Sequence, residues 1–120
     1  MSQKIMIVDD AAFMRMMIND TLTKHGYTNL IEASDGQKAF ELYQVERPDL
    51  VIMDITMPNM DGIRSLQAIR NFDKNAKVVM CSAMGQESMV VDAIRYGALD
   101  FIVKPFKPDR ILQTVSKILG

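Results

Sequence analysis

Residues 5–10 read IMIVDD, four apolar side chains in succession followed by two carboxylates, Asp9 and Asp10. A continuous run of Ile, Met and Val is how a strand covered on both faces looks, and such strands belong to parallel sheets with helices on either side. Like charges at the end of a buried strand repel one another and lose water, so the pair needs a counter-charge or a shifted pKa. A bound cation is the simplest candidate.

Working outward, β-type runs are expected at residues 4–8, 28–32, 49–53, 76–81 and 100–103. Segments of helical period lie between them. Met14, Ile18 and Leu22 recur at four-residue steps, with Gly26 closing the helix. Ala39, Leu42 and Tyr43 follow a Ser34-Asp35 cap and end before Pro48. Asp61 caps a third helix through Ile63, Leu66 and Ile69, while Met89, Val90, Ala93 and Ile94 mark a fourth, stopped by Gly97. The last starts near Pro108 and carries Ile111, Leu112, Val115, Ile118 and Leu119, with proline at a first-turn position where its missing N–H is harmless. Five strand–helix units in that order predict an α/β fold, a five-stranded parallel sheet of order 2-1-3-4-5 with helices on both faces, the flavodoxin-like (βα)5 arrangement.

Composition agrees with a globular domain. The 120 residues are 48% apolar and 24% charged, with a net charge of −1, so no basic excess advertises nucleic acid or an acidic membrane as a partner. The lone Cys81 excludes an internal disulfide framework, and MSQK leads into the first apolar run without a signal-peptide core. No stretch approaches the ~18 consecutive apolar residues of a membrane span. A cytoplasmic single domain without an appended output domain is expected.

Ligands on such sheets bind beyond the carboxyl ends of the strands. In this chain those ends hold Asp9 and Asp10, then Asp54, then Ser82, then Lys104 followed by Pro105. Each has an ordinary alternative. An Asp after a strand often caps a helix or forms a turn, Ser82 could cap the fourth helix, and Lys104 could be a solvated loop charge. What favours a site is that all five fall on one edge of one sheet. Clustered carboxylates without a His or Cys array suit a hard cation such as Mg2+, held by Asp9 and Asp10. A carboxylate can also be a nucleophile toward phosphorus, and Asp54 lies between the metal pair and Lys104. Phosphoryl transfer spreads charge over equatorial oxygens, which a cation on one side and Lys104 on the other would stabilise, with Ser82 donating to the product.

The segments IVDDAAFMR, DLVIMDITMPNMDG, VVMCSAMGQ and DFIVKPF together resemble the receiver domain of two-component response regulators, most of all its single-domain chemotaxis members. The resemblance covers essentially the whole chain. It implies that Asp54 is phosphorylated by a histidine autokinase, CheA in chemotaxis, with Asp9, Asp10, Asp54 and the Thr56 backbone carbonyl around Mg2+. It also implies that Ser82 is the switch hydroxyl, Phe101 the switch aromatic, Lys104 the phosphate partner, and the Lys104–Pro105 bond cis. Two positions depart from the commoner pattern. Serine at 82 lacks the methyl that restrains a threonine rotamer, and Phe101 has no phenol to hydrogen-bond.

In that family a phosphoryl group draws the switch hydroxyl inward and the aromatic follows. The face so altered binds the flagellar motor switch protein FliM, which carries Val91, Arg95, Tyr96, Phe101 and Lys107 over as a partner surface. Phosphatases of the phosphorylated form and a monomeric state are further expectations. Other readings stay open. A phosphorelay intermediate passing its phosphoryl group to another histidine protein shares every motif. A haloacid-dehalogenase-type phosphatase would need a second Asp where Thr56 stands, and a flavodoxin would need a phosphate-cradling first loop where Asp9 and Asp10 repel. Met6, Met53, Met80 and Cys81 read as core, whereas Met57, Met60 and Met84 lie near the site. His25, the only histidine, closes the first helix, where a cation suits the dipole.

Overall fold

The computed structural model describes residues 3–120. Strands β1 (Ile5–Val8), β2 (Leu30–Ala33), β3 (Leu50–Asp54), β4 (Val78–Ser82) and β5 (Asp100–Val103) alternate with helices α1 (Ala12–Lys24), α2 (Gly36–Glu46), α3 (Gly62–Phe72), α4 (Glu87–Arg95) and α5 (Pro108–Leu119). All pairings are parallel, in the order β2-β1-β3-β4-β5. This is the expected α/β topology.

Because successive strand side chains face opposite sides, each central strand feeds two cores. Met6, Val8, Val51, Met53, Val78 and Met80 pack with Ala39 and Tyr43 of α2, Leu66 and Ile69 of α3 and Ala93 of α4. Ile5, Ile7, Leu50, Ile52, Val79 and Cys81 pack with Ile18 and Leu22 of α1 and Ile111 and Val115 of α5. Every residue of β1, β3 and β4 is buried, whereas edge strands β2 and β5 are partly open. That contrast makes the three central strands plain in sequence and β2 less so.

Residues 28–32 are expected as strand, but β2 is displaced two residues toward the carboxyl end at its start. Register decides this, since Ile5 pairs with Leu30 and Val8 with Ala33. Asp35 alone of the Ser34-Asp35 pair caps α2, accepting from the Lys38 N–H at 2.8 Å. Asp61 caps α3 by accepting from the Arg64 N–H at 2.9 Å. The cap position of α4 belongs to Gln86, so Ser82 does not fill it.

Two close approaches seat the helices. A Cβ on Gly62 would lie 2.2 Å from the Asp54 carbonyl oxygen, and one on Gly36 would lie 2.2 Å from that of Met60. The buried Ser65 hydroxyl donates to the Gly36 carbonyl at 2.8 Å. Helix α3 therefore starts directly against the end of the strand that carries Asp54.

Candidate functional site

The carboxyl ends of β1, β3 and β5 converge. Carboxylate oxygens of Asp9, Asp10 and Asp54 lie within 4.8 Å of one another. Lys104 Nζ reaches across the sheet to Asp9 Oδ2 at 3.0 Å and Asp54 Oδ2 at 3.3 Å. The loop that presents this lysine is held by its own Lys104 N–H, which donates to the Ser82 carbonyl at 2.7 Å. The Lys104–Pro105 peptide is cis.

Asp9 and Asp54 are buried and Asp10 is exposed. Both oxygens of Asp9 are engaged, since Oδ1 accepts from the Ala11 N–H at 2.9 Å while Oδ2 faces Lys104. Arg15 Nη1 donates to the Asp9 carbonyl at 2.6 Å, and its Nε pairs with Glu32 at 2.9 Å. Position nine thus serves as turn former and cluster member together.

Burial pushes the Asp54 carboxyl above its ordinary range, and the neighbouring Asp9 and Asp10 add to this, while Lys104 pulls the other way. For Lys104 burial is the largest single influence and acts to lower its pKa, yet its pairing with Asp9 and Asp54 outweighs burial and leaves it raised. Lys104 therefore stays charged at neutral pH. Asp54 thus sits between the Lys104 ammonium on one side and two further carboxyl groups on the other.

Ser82 is buried at the end of β4. Phe101 is 36% exposed, and its ring borders an open hollow of about 670 Å³ whose lining includes Ser82, Met84, Val90, Val91 and Ile94. On its other side Phe101 shares a second hollow with Lys107. Val91, Arg95, Tyr96 and Lys107 are all exposed. Tyr96 lines a separate recess with Gln67, Arg70 and Asn71 of α3, so it stands apart from the Phe101 hollow.

Met6, Met53 and Met80 are wholly buried, Met57 is buried, and Met84 is 78% exposed. Burial pushes the Cys81 thiol up to about 12, which makes it packing rather than redox chemistry. His25 Nδ1 sits 3.1 Å from the Thr21 carbonyl oxygen at the end of α1.

Sequence reasoning passes over Gln86. Its Oε1 accepts from the Ala83 N–H at 2.6 Å and its Nε2 donates to Thr56 Oγ1 at 2.8 Å. Nothing in its neighbours' periodicity signals this, because a glutamine after a glycine reads as loop.

Comparison with known proteins accords with this architecture. The family model described as response regulator receiver domain matches residues 5–116. The chain is 58% identical over its full length to the full-length Chemotaxis protein CheY of Bacillus subtilis. It is 52% identical to the Chemotaxis protein CheY of Thermotoga maritima, over 98% of each chain. A chain in the crystal structure of the CheX-CheY-BeF3-Mg+2 complex from Borrelia burgdorferi superposes with a TM-score of 0.92 at 40% identity, covering 98% of this chain and 90% of that one. Receiver domains accept phosphoryl groups and bind Mg2+ at an acidic pocket. With its parallel order, its converged carboxylates and these likenesses, the chain belongs to the response regulator receiver domain family.

Proposed function

We propose that the chain is a chemotaxis response regulator of the cytoplasm that takes a phosphoryl group onto Asp54 and, so modified, engages the flagellar motor switch. The observation that carries this is Lys104 bridging Asp9 and Asp54, two of the three carboxylates whose oxygens lie within 4.8 Å of one another. All donors in that cluster are oxygen, which fits a hard divalent ion that keeps several waters. Asp9, Asp10 and Asp54, with the Thr56 carbonyl, would hold Mg2+. Bound there, the ion supplies positive charge to the phosphoryl oxygens.

The rest is work for the chain's own residues. An Asp54 carboxylate oxygen attacks the phosphorus of a phosphohistidine, the P–N bond breaks as the O–P bond forms, and the departing imidazole keeps the electron pair and takes a proton from solvent. Lys104 faces the equatorial oxygens. Ser82 donates to the product. Water attack on the same phosphorus reverses the modification, so the domain acts in its own phosphorylation and slow dephosphorylation.

Signal then leaves through packing. As Ser82 turns to the phosphoryl group, the Phe101 ring moves into the hollow it now borders, which reshapes the surface of Val91, Arg95, Tyr96, Phe101 and Lys107. FliM is the proposed partner there, CheA the proposed donor, and phosphatases of the phosphorylated monomer close the cycle. Full-length identity to proteins named for chemotaxis favours this over a phosphorelay intermediate, although a 38% identical relative is the Sporulation initiation phosphotransferase F of Bacillus subtilis.

The test is incubation with acetyl phosphate and Mg2+ followed by mass spectrometric mapping. One phosphoryl group on Asp54, lost in Asp54→Asn, is expected, together with enhanced binding of a FliM N-terminal peptide that the variant lacks. Modification at another residue, or none, removes the reading.

A further inference from the structure

Parallel pairing of β3 with β4 runs out at the site. Asp54 stands opposite Cys81, and the last peptide rung is the Ile55 N–H donating to the Cys81 carbonyl at 3.0 Å. Beyond it β3 gives way to the loop at Ile55–Thr56, and β4 ends at Ser82 with Ala83 opening the loop to α4. One side chain spans the gap. The carboxamide of Gln86 takes the Ala83 N–H on its oxygen and gives its own N–H to Thr56 Oγ1, so a primary amide replaces the missing peptide rung.

Gln86 occupies the cap position of α4 yet makes no side-chain capping bond, and it turns back toward the strand end instead. The bridge has a competitor. A phosphoryl group brings several acceptor oxygens to Asp54. Lys104 Nζ is already shared between Asp9 and Asp54, and the next main-chain donor past Ser82 on the adjacent strand end is the Ala83 N–H.

We infer that Gln86 is a positioning residue that holds the β4–α4 loop in its phosphoryl-free arrangement, by occupying the Ala83 N–H that a phosphoryl group on Asp54 would otherwise take. This rests on the Asp54 reading. Phosphorylation would displace the carboxamide oxygen, and the release of Thr56 Oγ1 would follow, freeing both loops together. Met84 and Gly85 lie within the freed segment and line the hollow beside Phe101. The loop thus links the modified carboxylate to the aromatic.

The experiment uses the 15N-labelled full chain, with Gln86→Met as a size-matched variant and Gln86→Ala as a truncation. Gln86 is only half-buried, so both are expected to fold. Without ligand, the Ala83 amide proton resonance should move upfield in both variants, as for a lost hydrogen bond. Titration with beryllofluoride and Mg2+ should then show roughly fivefold tighter binding than wild type, the equivalent of one ordinary hydrogen bond released from competition. A merely structural glutamine would shift the melting temperature without tightening that binding. An unmoved Ala83 resonance, or unchanged affinity, overturns the inference. Weaker binding overturns it too and makes Gln86 a ligand rather than a competitor. Failure of the wild type itself to bind beryllofluoride would instead refute the Asp54 reading, and this inference with it.

Discussion

Asp54→Asn should stabilise the metal-free protein at neutral pH. At an effective dielectric constant of about 20, like charges 4.8 Å apart repel by about 3.5 kcal/mol, and opposite charges 3.3 Å apart attract by about 5 kcal/mol. The first figure is a lower bound for Asp9, whose carboxylate oxygen lies within 4.8 Å of that of Asp54. Asp10 is exposed, so solvent screening reduces its share to below about 1 kcal/mol. Lys104 and the two aspartates therefore nearly cancel at Asp54, and desolvation of a carboxylate that is only 8% exposed tips the balance. An isosteric neutral side chain removes that penalty and leaves Lys104 still paired with Asp9.

A gain of about 1–2 kcal/mol follows, or roughly 3–10 °C in melting temperature for a domain of this size. The sign with pH is set by a folded-state pKa raised above the ordinary 3.8. Such a carboxyl binds its proton more tightly when folded, so the wild type loses stability as pH rises from 3.8 through the raised value. The variant's advantage should be full at neutral pH and shrink as pH falls back toward 3.8. Mg2+ should narrow or reverse it, because the ion stabilises only a site that binds it. Circular-dichroism melts with chelator and with Mg2+, across pH, decide the matter. An Asp54→Asn protein no more stable than wild type at neutral pH in chelator would refute this balance of charges.

Three further outcomes are expected. Lys104→Met removes the cation that competes for the Asp9 and Asp54 oxygens, so calorimetry should find Mg2+ binding about tenfold tighter while phosphorylation by acetyl phosphate slows on the order of a hundredfold; weaker Mg2+ binding would contradict the competition. Gly62→Ala places a Cβ 2.2 Å from the Asp54 carbonyl oxygen and 2.8 Å from the Ile55 Cα, both backbone, so α3 must lift from the strand end. A loss of about 3 kcal/mol in urea melts is expected, and an unchanged midpoint would show that the helix is not seated there. Cys81, buried with its thiol pushed up to about 12, should resist iodoacetamide in native protein and react only on unfolding; rapid native labelling would show that β4 opens.

Much of the architecture is local information. The runs IMIV and LVIM are continuously apolar because helices cover both sides of the central strands, and Asp35, Asp61 and Pro108 mark helix starts by capping and by proline's fixed φ. Edge strand β2 is harder to bound, because Thr28 and Asn29 precede Leu30 and only pairing with Ile5 selects where the ladder begins. Gln86 is invisible for a related reason. Its partners, Ala83 and Thr56, are brought within reach by the side-by-side ends of β3 and β4 rather than by any helical spacing.

The kinds of groups at the strand ends, and hence the chemistry open to them, were already determined by the order of residues along the chain. What only the folded molecule decided is distance and exposure. Right-handed crossovers and interstrand register carry residues 9, 54 and 104 to one edge, so that Lys104 bridges two aspartates instead of pointing into water. The same packing leaves the Phe101 ring outside, beside a hollow large enough to receive it. Periodicity describes which side of an element meets the core, whereas proximity between strand ends arises only when the whole sheet assembles.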